Sequence, residues 1–323
     1  MTWRIVEGEC LDVLRGMDAA SVDCCVTSPP YYGLRDYGCE GQIGLEKSPD
    51  EYVAKLVAVF REVRRVLKDD GTLWLNIGDS YAANRSYQVP STKGGPKHSP
   101  AQAGQTCNTV PVGMNPKDLI GIPWMVAFAL RADGWWLRQD IVWAKPNPMP
   151  ESVTDRCTRA HEYIFLLSKS QRYYFDNEAS KEEAAQAGRV RADRMGGNKY
   201  VEGVKHSDGS VFLGANTRNR RDVWTVATKP FKGAHFAVMP TELVRPCVRA
   251  GCRPGGTVLD PFAGSGTVGV VCRQEGRSFV GVELNLTYAA MARKRIEGNE
   301  QVEREEVEGQ GTLFTVDVRP VEC

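Results

Sequence analysis

No run of eighteen or more apolar residues occurs in this 323-residue chain, so no segment reads as a membrane-spanning helix. The N-terminal MTWRIVEGECLDVL lacks the basic-then-apolar pattern of a secretory leader, and the cytoplasm is the expected location. None of the ten cysteines forms a Cys-x-x-Cys pair. Cys247 and Cys252, the one close separated pair, have no second pair or histidine cluster beside them. A zinc site needs such repeated ligands, so no metal is expected and the thiols read as small, reduced core residues. Strong charge of one sign is missing too: 41 Lys and Arg stand against 40 Asp and Glu, a formal net charge of +1. A nucleic-acid partner would therefore need a local basic face rather than a basic chain. No Gly-x-Gly-x-x-Gly lies near the N-terminus, which disfavours a nicotinamide- or flavin-binding oxidoreductase.

What is present is an ordinary globular balance, 42% apolar and 25% charged. Strand signals at WRIVEG, SVDCCVTS (21–28), TLWLNIGD (72–79), WLRQDIVWAK (136–145), HEYIFLLSKS (161–170), TVLDPF and SFVGVELN alternate with helix signals. The clearest helix covers 50–67: apolar residues recur from Tyr52 to Leu67 at helical spacing, and Ser48-Pro49-Asp50 supplies a start. KDDG is expected to end it. Trp135, Trp136 and Trp143 are expected in the core. Two stretches, 80–117 and 171–230, lose periodicity, and the second carries the densest basic runs, 189–194 and 216–222. The alternation implies a doubly wound, mostly parallel α/β sheet, with ligands beyond the carboxyl ends of its strands.

One such strand end carries Asp260-Pro-Phe-Ala-Gly-Ser-Gly-Thr267. Gly264 and Gly266 allow close backbone approach, and the following helix start presents free N–H groups to an anion such as a carboxylate. Asp260 could balance a cationic group, and Phe262 offers an aromatic face. About twenty residues on, Glu283 ends the next strand where an acid can hold ribose hydroxyls. A ligand with carboxylate, ammonium and sulfonium groups suits this set; the plain alternative is a tight strand-to-helix turn.

A second strand end carries Thr27-Ser-Pro-Pro-Tyr31. Consecutive prolines give a rigid, extended backbone whose carbonyls can accept hydrogens from an amino group presented edge-on. Ser28 adds a side-chain acceptor and Tyr31 a face for a base. Fixed acceptors would draw a base amine toward tetrahedral geometry against an adjacent methyl donor. Here the plain alternative is a simple Pro-Pro loop.

TSPPY together with DPFAGSGT resembles the bacterial DNA amino-methyltransferases, and the order, TSPPY first, resembles their permuted β arrangement. TSPPYYGLRDYG, the W-x-K of 143–145, HEYIFLLSKS, HFAVMP at 235–240 and GVELN match in order across nearly the whole chain. The resemblance implies a seven-stranded, Rossmann-like, S-adenosylmethionine-dependent methyltransferase sheet with an inserted target-recognition region. Residues 1–170 would form the catalytic half, 171–230 the target-recognition region, 231–298 the cofactor-binding half and 299–323 a tail. It implies S-adenosyl-L-methionine as cofactor, double-stranded DNA as partner, a cognate restriction endonuclease as companion, and a monomer or homodimer.

Ser28, Pro29, Pro30 and Tyr31 would then be the catalytic set. Asp260, Pro261, Phe262, Gly264, Ser265, Gly266 and Thr267 would bind cofactor with Glu283, Leu284 and Asn285. His235, Phe236 and Pro240 would help cradle its methionine end, and Glu9 would sit near its adenine, where the family usually has Asp. Arg189, Arg191, Arg194, Arg218, Arg220 and Arg221 would contact phosphates. Ser at the head of S-P-P-Y resembles cytosine-N4 enzymes, whereas adenine-N6 enzymes more often carry Asp or Asn. Cytosine N4 reached by base flipping is therefore expected, with adenine N6 as the alternative. RNA or protein methyltransferases are more distant, since those with a related Asn-Pro-Pro-Tyr place the glycine motif before it.

Overall fold

Residues Val22–Thr27 are buried at all six positions, as a strand covered on both faces of a parallel sheet requires. The computed structural model describes residues 1–34, 36–82, 85–86, 106–107, 110–111, 113–184, 216–229 and 238–298. In chain order the elements are β1 (Trp3–Glu7), α1 (Cys10–Arg15), β2 (Val22–Thr27), α2 (Pro49–Val66), β3 (Leu67–Ile77), β4 (Arg85–Ser86) and β5 (Thr106–Cys107). Then come α3 (Ile122–Ala132), β6 (Trp136–Ala144), β7 (His161–Ser168), α4 (Asn177–Ser180), β8 (Glu182–Glu183), β9 (Thr217–Arg218) and β10 (Val223–Thr225). The chain continues through α5 (Thr241–Gly251), β11 (Thr257–Asp260), α6 (Thr267–Gln274), β12 (Ser278–Glu283) and α7 (Leu286–Glu297).

The main sheet runs β1-β12-β11-β2-β3-β7-β6-β10. Every neighbouring pair is parallel except the two made by β7, which is antiparallel to β3 and β6. Side chains alternate across it. Cys25, Leu73 and Leu75 face one apolar layer with α2 and α3; Cys24, Val26 and Trp74 face another with α5, α6 and α7. The doubly wound architecture is thus the expected one.

Its strand count is not. The sheet has eight described strands rather than seven. The extra one, β10, lies parallel to β6 with Trp224 opposite Trp143. A three-residue strand with only Trp224 buried has no period to read. KDDG does not separate helix from strand either: α2 stops at Val66 and β3 starts at Leu67. Its charges are tolerated because Lys68 pairs with Asp23 (2.8 Å) and Asp70 with Arg253 (2.6 Å). Trp135 and Trp143 are buried as expected, but Trp136 is 45% exposed. It opens β6, several of whose side chains face outward.

Cys10, Cys24, Cys25, Cys247, Cys252 and Cys272 are buried free thiols, and burial pushes those of Cys24 and Cys25 well above the usual range. Among the described residues no cluster could hold a metal ion, and no helix is long and apolar enough to cross a membrane.

Candidate active site

A cleft of about 1060 Å³ opens where the parallel strands end. The carboxyl ends of β1, β12, β11, β2, β3 and β6 reach it, and antiparallel β7 reaches it with its amino end. Both sequence motifs lie in this one cleft because β2 and β11 are neighbours in the sheet. Their ends are tied directly: the Thr27 hydroxyl donates to Asp260 Oδ1 at 2.6 Å.

On the glycine-loop side, Asp260 is buried and also accepts from the Phe262 amide (3.1 Å), both bonds falling on Oδ1. Burial pushes its pKa up to about 7, against the pull of these hydrogen bonds. Glu283 accepts from the Gly264 amide (2.7 Å) with one oxygen and from the Asn285 amide (2.9 Å) with the other. It thereby fastens the glycine loop to the next strand end, and its own pKa is raised, chiefly by burial. Gly264 and Gly266 both adopt left-handed backbone, φ 52° and 78°. Gly266 does not line the cleft; it caps α6, and a Cβ there would lie 2.9 Å from the Ala292 Cβ. The Ser265 and Thr267 hydroxyls accept from Arg295 (2.8 and 2.9 Å), so they also brace the loop against α7.

Pro261, Phe262, Leu284 and Asn285 line the cleft, and Asn285 caps α7 with its side chain. Glu9 lines it while capping α1 through the Asp12 amide (3.0 Å). Pro240 does not line it; as the residue before α5 it leaves Val238 and Met239 to face the cleft. His235 and Phe236 lie outside the described residues.

On the other side stand Ser28, Pro29, Pro30 and Tyr31. The Pro30 carbonyl accepts from the Tyr52 hydroxyl on α2 (2.8 Å), which anchors the loop to the core. The ring of Tyr31 rests on Gly78, where a Cβ would meet its Cε2 at 2.6 Å. Its hydroxyl donates to Glu162 Oε2 at 2.6 Å. Burial and the Glu162 charge raise the Tyr31 pKa well above the usual range, so the hydroxyl keeps its proton.

The residues that hold Tyr31 carry no sequence-assigned role. Glu162 also accepts from Asn76 Nδ2 (3.3 Å) and is ion-paired with Lys145, whose ammonium lies 4.4 Å from the Trp143 ring centroid. A charged residue near the start of the apolar run HEYIFLLS, whose last five positions are buried, was the available signal. Asp79 lines the cleft and also caps α3: its Oδ1 accepts from the amides of Ser80, Gly121 and Ile122 at 2.9 to 3.0 Å. After Tyr31 the chain returns across the cofactor side. There Tyr37 meets Tyr288 edge-on at 6.2 Å, and Asn285 reaches Cys39 Sγ at 3.5 Å.

The described basic stretch, 216–222, is placed elsewhere. Arg218 and Arg221 both donate to Glu182 at 2.8 Å, and Arg220 donates to the Ser180 carbonyl and lies over Trp224. None of the three lines the cleft. Arg189, Arg191, Arg194 and most of loop 80–117 lie outside the described residues.

The arrangement can hold a cationic, carboxylate-bearing ligand against the glycine loop and present a planar amine to it from the Ser28 side. Comparison with known proteins gives a consistent result. A family model described as DNA methylase matches residues 22–294. The chain is 52% identical over 297 residues to the type II methyltransferase M.Cfr9I of Citrobacter freundii, covering 92% of this chain and 88% of that protein. It is 50% identical to M.SmaI of Serratia marcescens over 91% of this chain and 90% of that one. Among solved structures, the TTHA0409 protein of Thermus thermophilus complexed with S-adenosyl-L-methionine is similar, with TM-score 0.58, 24% identity and coverage of 92% and 95%. The PvuII cytosine-N4-specific DNA methyltransferase has a like fold, with TM-score 0.61, 17% identity and coverage of 96% and 94%.

Proposed function

The chain belongs to the DNA methylase family, as an amino-methyltransferase of the restriction–modification type, and from that premise we propose that it methylates cytosine N4 in duplex DNA. The carrying observation is the Thr27–Asp260 bond, which joins the two strand ends across which a methyl would pass. S-adenosyl-L-methionine, when bound, supplies an electrophilic methyl on a sulfonium.

The residues present suit that donor. Asp260 is a buried carboxylate whose ionisation is costly by itself, as its raised pKa records, and a neighbouring cation would favour its charged form. Glu283 accepts from backbone amides, Gly264 and Asn285 among them, and a carboxylate so held still has lone-pair capacity for ribose hydroxyls. Phe262 supplies an apolar surface in the same wall.

On the acceptor side, an exocyclic base amine is a weak nucleophile because its lone pair is delocalised into the ring. Ser28 and the Pro29 carbonyl accept its two hydrogens and orient the lone pair toward the donor. Pro30, committed to Tyr52, fixes the loop instead. Tyr31, which lines the cleft with its ring resting on Gly78, stacks a base extruded from the duplex. The surplus proton leaves after the methyl has arrived, so no strong base need act first. Ser28 in place of Asp or Asn favours cytosine over adenine.

The test is direct. The protein is incubated with labelled S-adenosyl-L-methionine and mixed-sequence DNA, the DNA is digested to nucleosides, and the methylated base is identified by mass. Sequencing sensitive to methylation then maps the site. N4-methylcytosine is the expected product; N6-methyladenine would overturn the base assignment, and label only in RNA or protein the substrate class.

A further inference from the structure

β6 ends at Ala144, and the chain then runs Lys145-Pro146-Asn147-Pro148-Met149-Pro150 along the rim of the cleft. Alternate prolines fix φ, remove backbone donors and hold each preceding residue extended. The stretch is therefore a stiff arm rather than a pliable loop. Asn147 clamps it: its Nδ2 donates to the Thr228 carbonyl (2.9 Å), and the Thr228 amide and hydroxyl donate to Asn147 Oδ1 (2.9 Å) and its carbonyl (3.2 Å). On this braced arm Met149 lines the cleft and is still 85% exposed. A lone exposed methionine is ordinary; one held out by two prolines over a catalytic cleft has a fixed place relative to the substrate.

We propose that Met149 is the wedge that enters the base stack of duplex DNA and occupies the space left by the extruded target base. The proposal rests on the functional assignment above. Extrusion leaves a flat gap between two aromatic faces, and unstacking costs a few kcal/mol. Apolar side chains, methionine and proline among them, fill such gaps. An unbranched thioether is thin enough to enter and makes favourable sulfur–aromatic contacts. The arm also shares its footing with the target pocket. Lys145, at its base, is ion-paired with Glu162, which holds the Tyr31 hydroxyl, so wedge and pocket belong to one frame. Leu34, 50% exposed on the rim, is the other exposed apolar candidate among the described cleft residues. It follows Gly33, in left-handed backbone at φ 57°, and precedes left-handed Gly38 and Gly41, so it lacks comparable bracing.

The test compares the full-length protein with Met149→Ala, Met149→Leu and Leu34→Ala on two duplexes carrying the mapped site. One has the target base normally paired; in the other it is mispaired and already easy to extrude. Met149→Ala should lose roughly tenfold or more in kcat/KM on the paired duplex and less than about twofold on the mispaired one. Met149→Leu should recover most of that loss, and binding of S-adenosyl-L-methionine should be unchanged in both. Equal loss on the two duplexes, no loss on the paired one, or a pairing-dependent loss in Leu34→Ala alone would overturn the assignment. If the wild-type protein methylates neither duplex, the functional assignment itself fails and the wedge with it, an outcome distinct from the others.

Discussion

Asp260→Asn should separate the electrostatic role of this carboxylate from its structural one. Both of its hydrogen bonds, from the Thr27 hydroxyl and the Phe262 amide, fall on Oδ1. An asparagine can keep that oxygen in place and lose only the charge. With the folded pKa pushed up to about 7, roughly one molecule in eleven is ionised at pH 6 and about three in four at pH 7.5. If only the ionised form attracts the cation, the affinity of the wild-type protein for S-adenosyl-L-methionine should rise about eightfold over that interval. The variant should bind weakly with no such rise. The stability of the ligand-free protein should move the other way. A carboxyl whose folded pKa exceeds its ordinary 3.8 loses stability as pH rises from about 4 to about 7. Three pKa units correspond to about 4 kcal/mol, so the ligand-free variant should melt higher than wild type at pH 8 and differ less at pH 5. Calorimetric titration from pH 6 to 7.5 and thermal melts at the two pH values measure both effects. A wild-type affinity flat across this range, or the same slope in the variant, would refute the cation-balancing role.

Ser28→Ala should reduce kcat by about a hundredfold or more while leaving S-adenosyl-L-methionine affinity within about twofold, measured by single-turnover kinetics and titration. Gly78→Ala should displace the ring of Tyr31, since the new Cβ would sit 2.6 Å from its Cε2. It should lower methyl transfer far more than cofactor binding, read by the same two measurements. Gly266→Ala combines φ 78° with a Cβ 2.9 Å from Ala292, and should cost about 1–3 kcal/mol in a denaturant melt.

Much of the sheet was legible because each buried strand is a short apolar run ending in a loop signal and each helix an apolar face at helical spacing. β2, α2, β7 and β12 fall within a residue or two of their expected bounds. β10 was not legible: three residues, one of them buried, acquire strand geometry only through pairing with β6. At the site, Ser28 and Asp260 announced themselves because proline pairs and glycine turns constrain the backbone locally, whatever surrounds them. Glu162 and Lys145 gave weaker notice. Their roles arise from partners 131 and 17 residues away in sequence, and no local pattern encodes such a meeting. Gly266 shows the converse: its glycine was rightly singled out, but the close approach is to Ala292 on α7 and not to the cleft.

By itself, the order of residues determined the alternation of strands and helices, the two rigid strand-end motifs and the family to which they point. Backbone restriction and apolar periodicity are properties of neighbours along the chain. Only the tertiary structure decided that β2 lies against β11, which brings Thr27 to Asp260 and the two motifs into one cleft. It also decided that burial would raise the Asp260 pKa, and that Glu162, paired with Lys145, would hold Tyr31 in the cleft that Met149 also lines. Strand order and burial depend on how distant segments pack together, and that is settled only when the whole chain has folded.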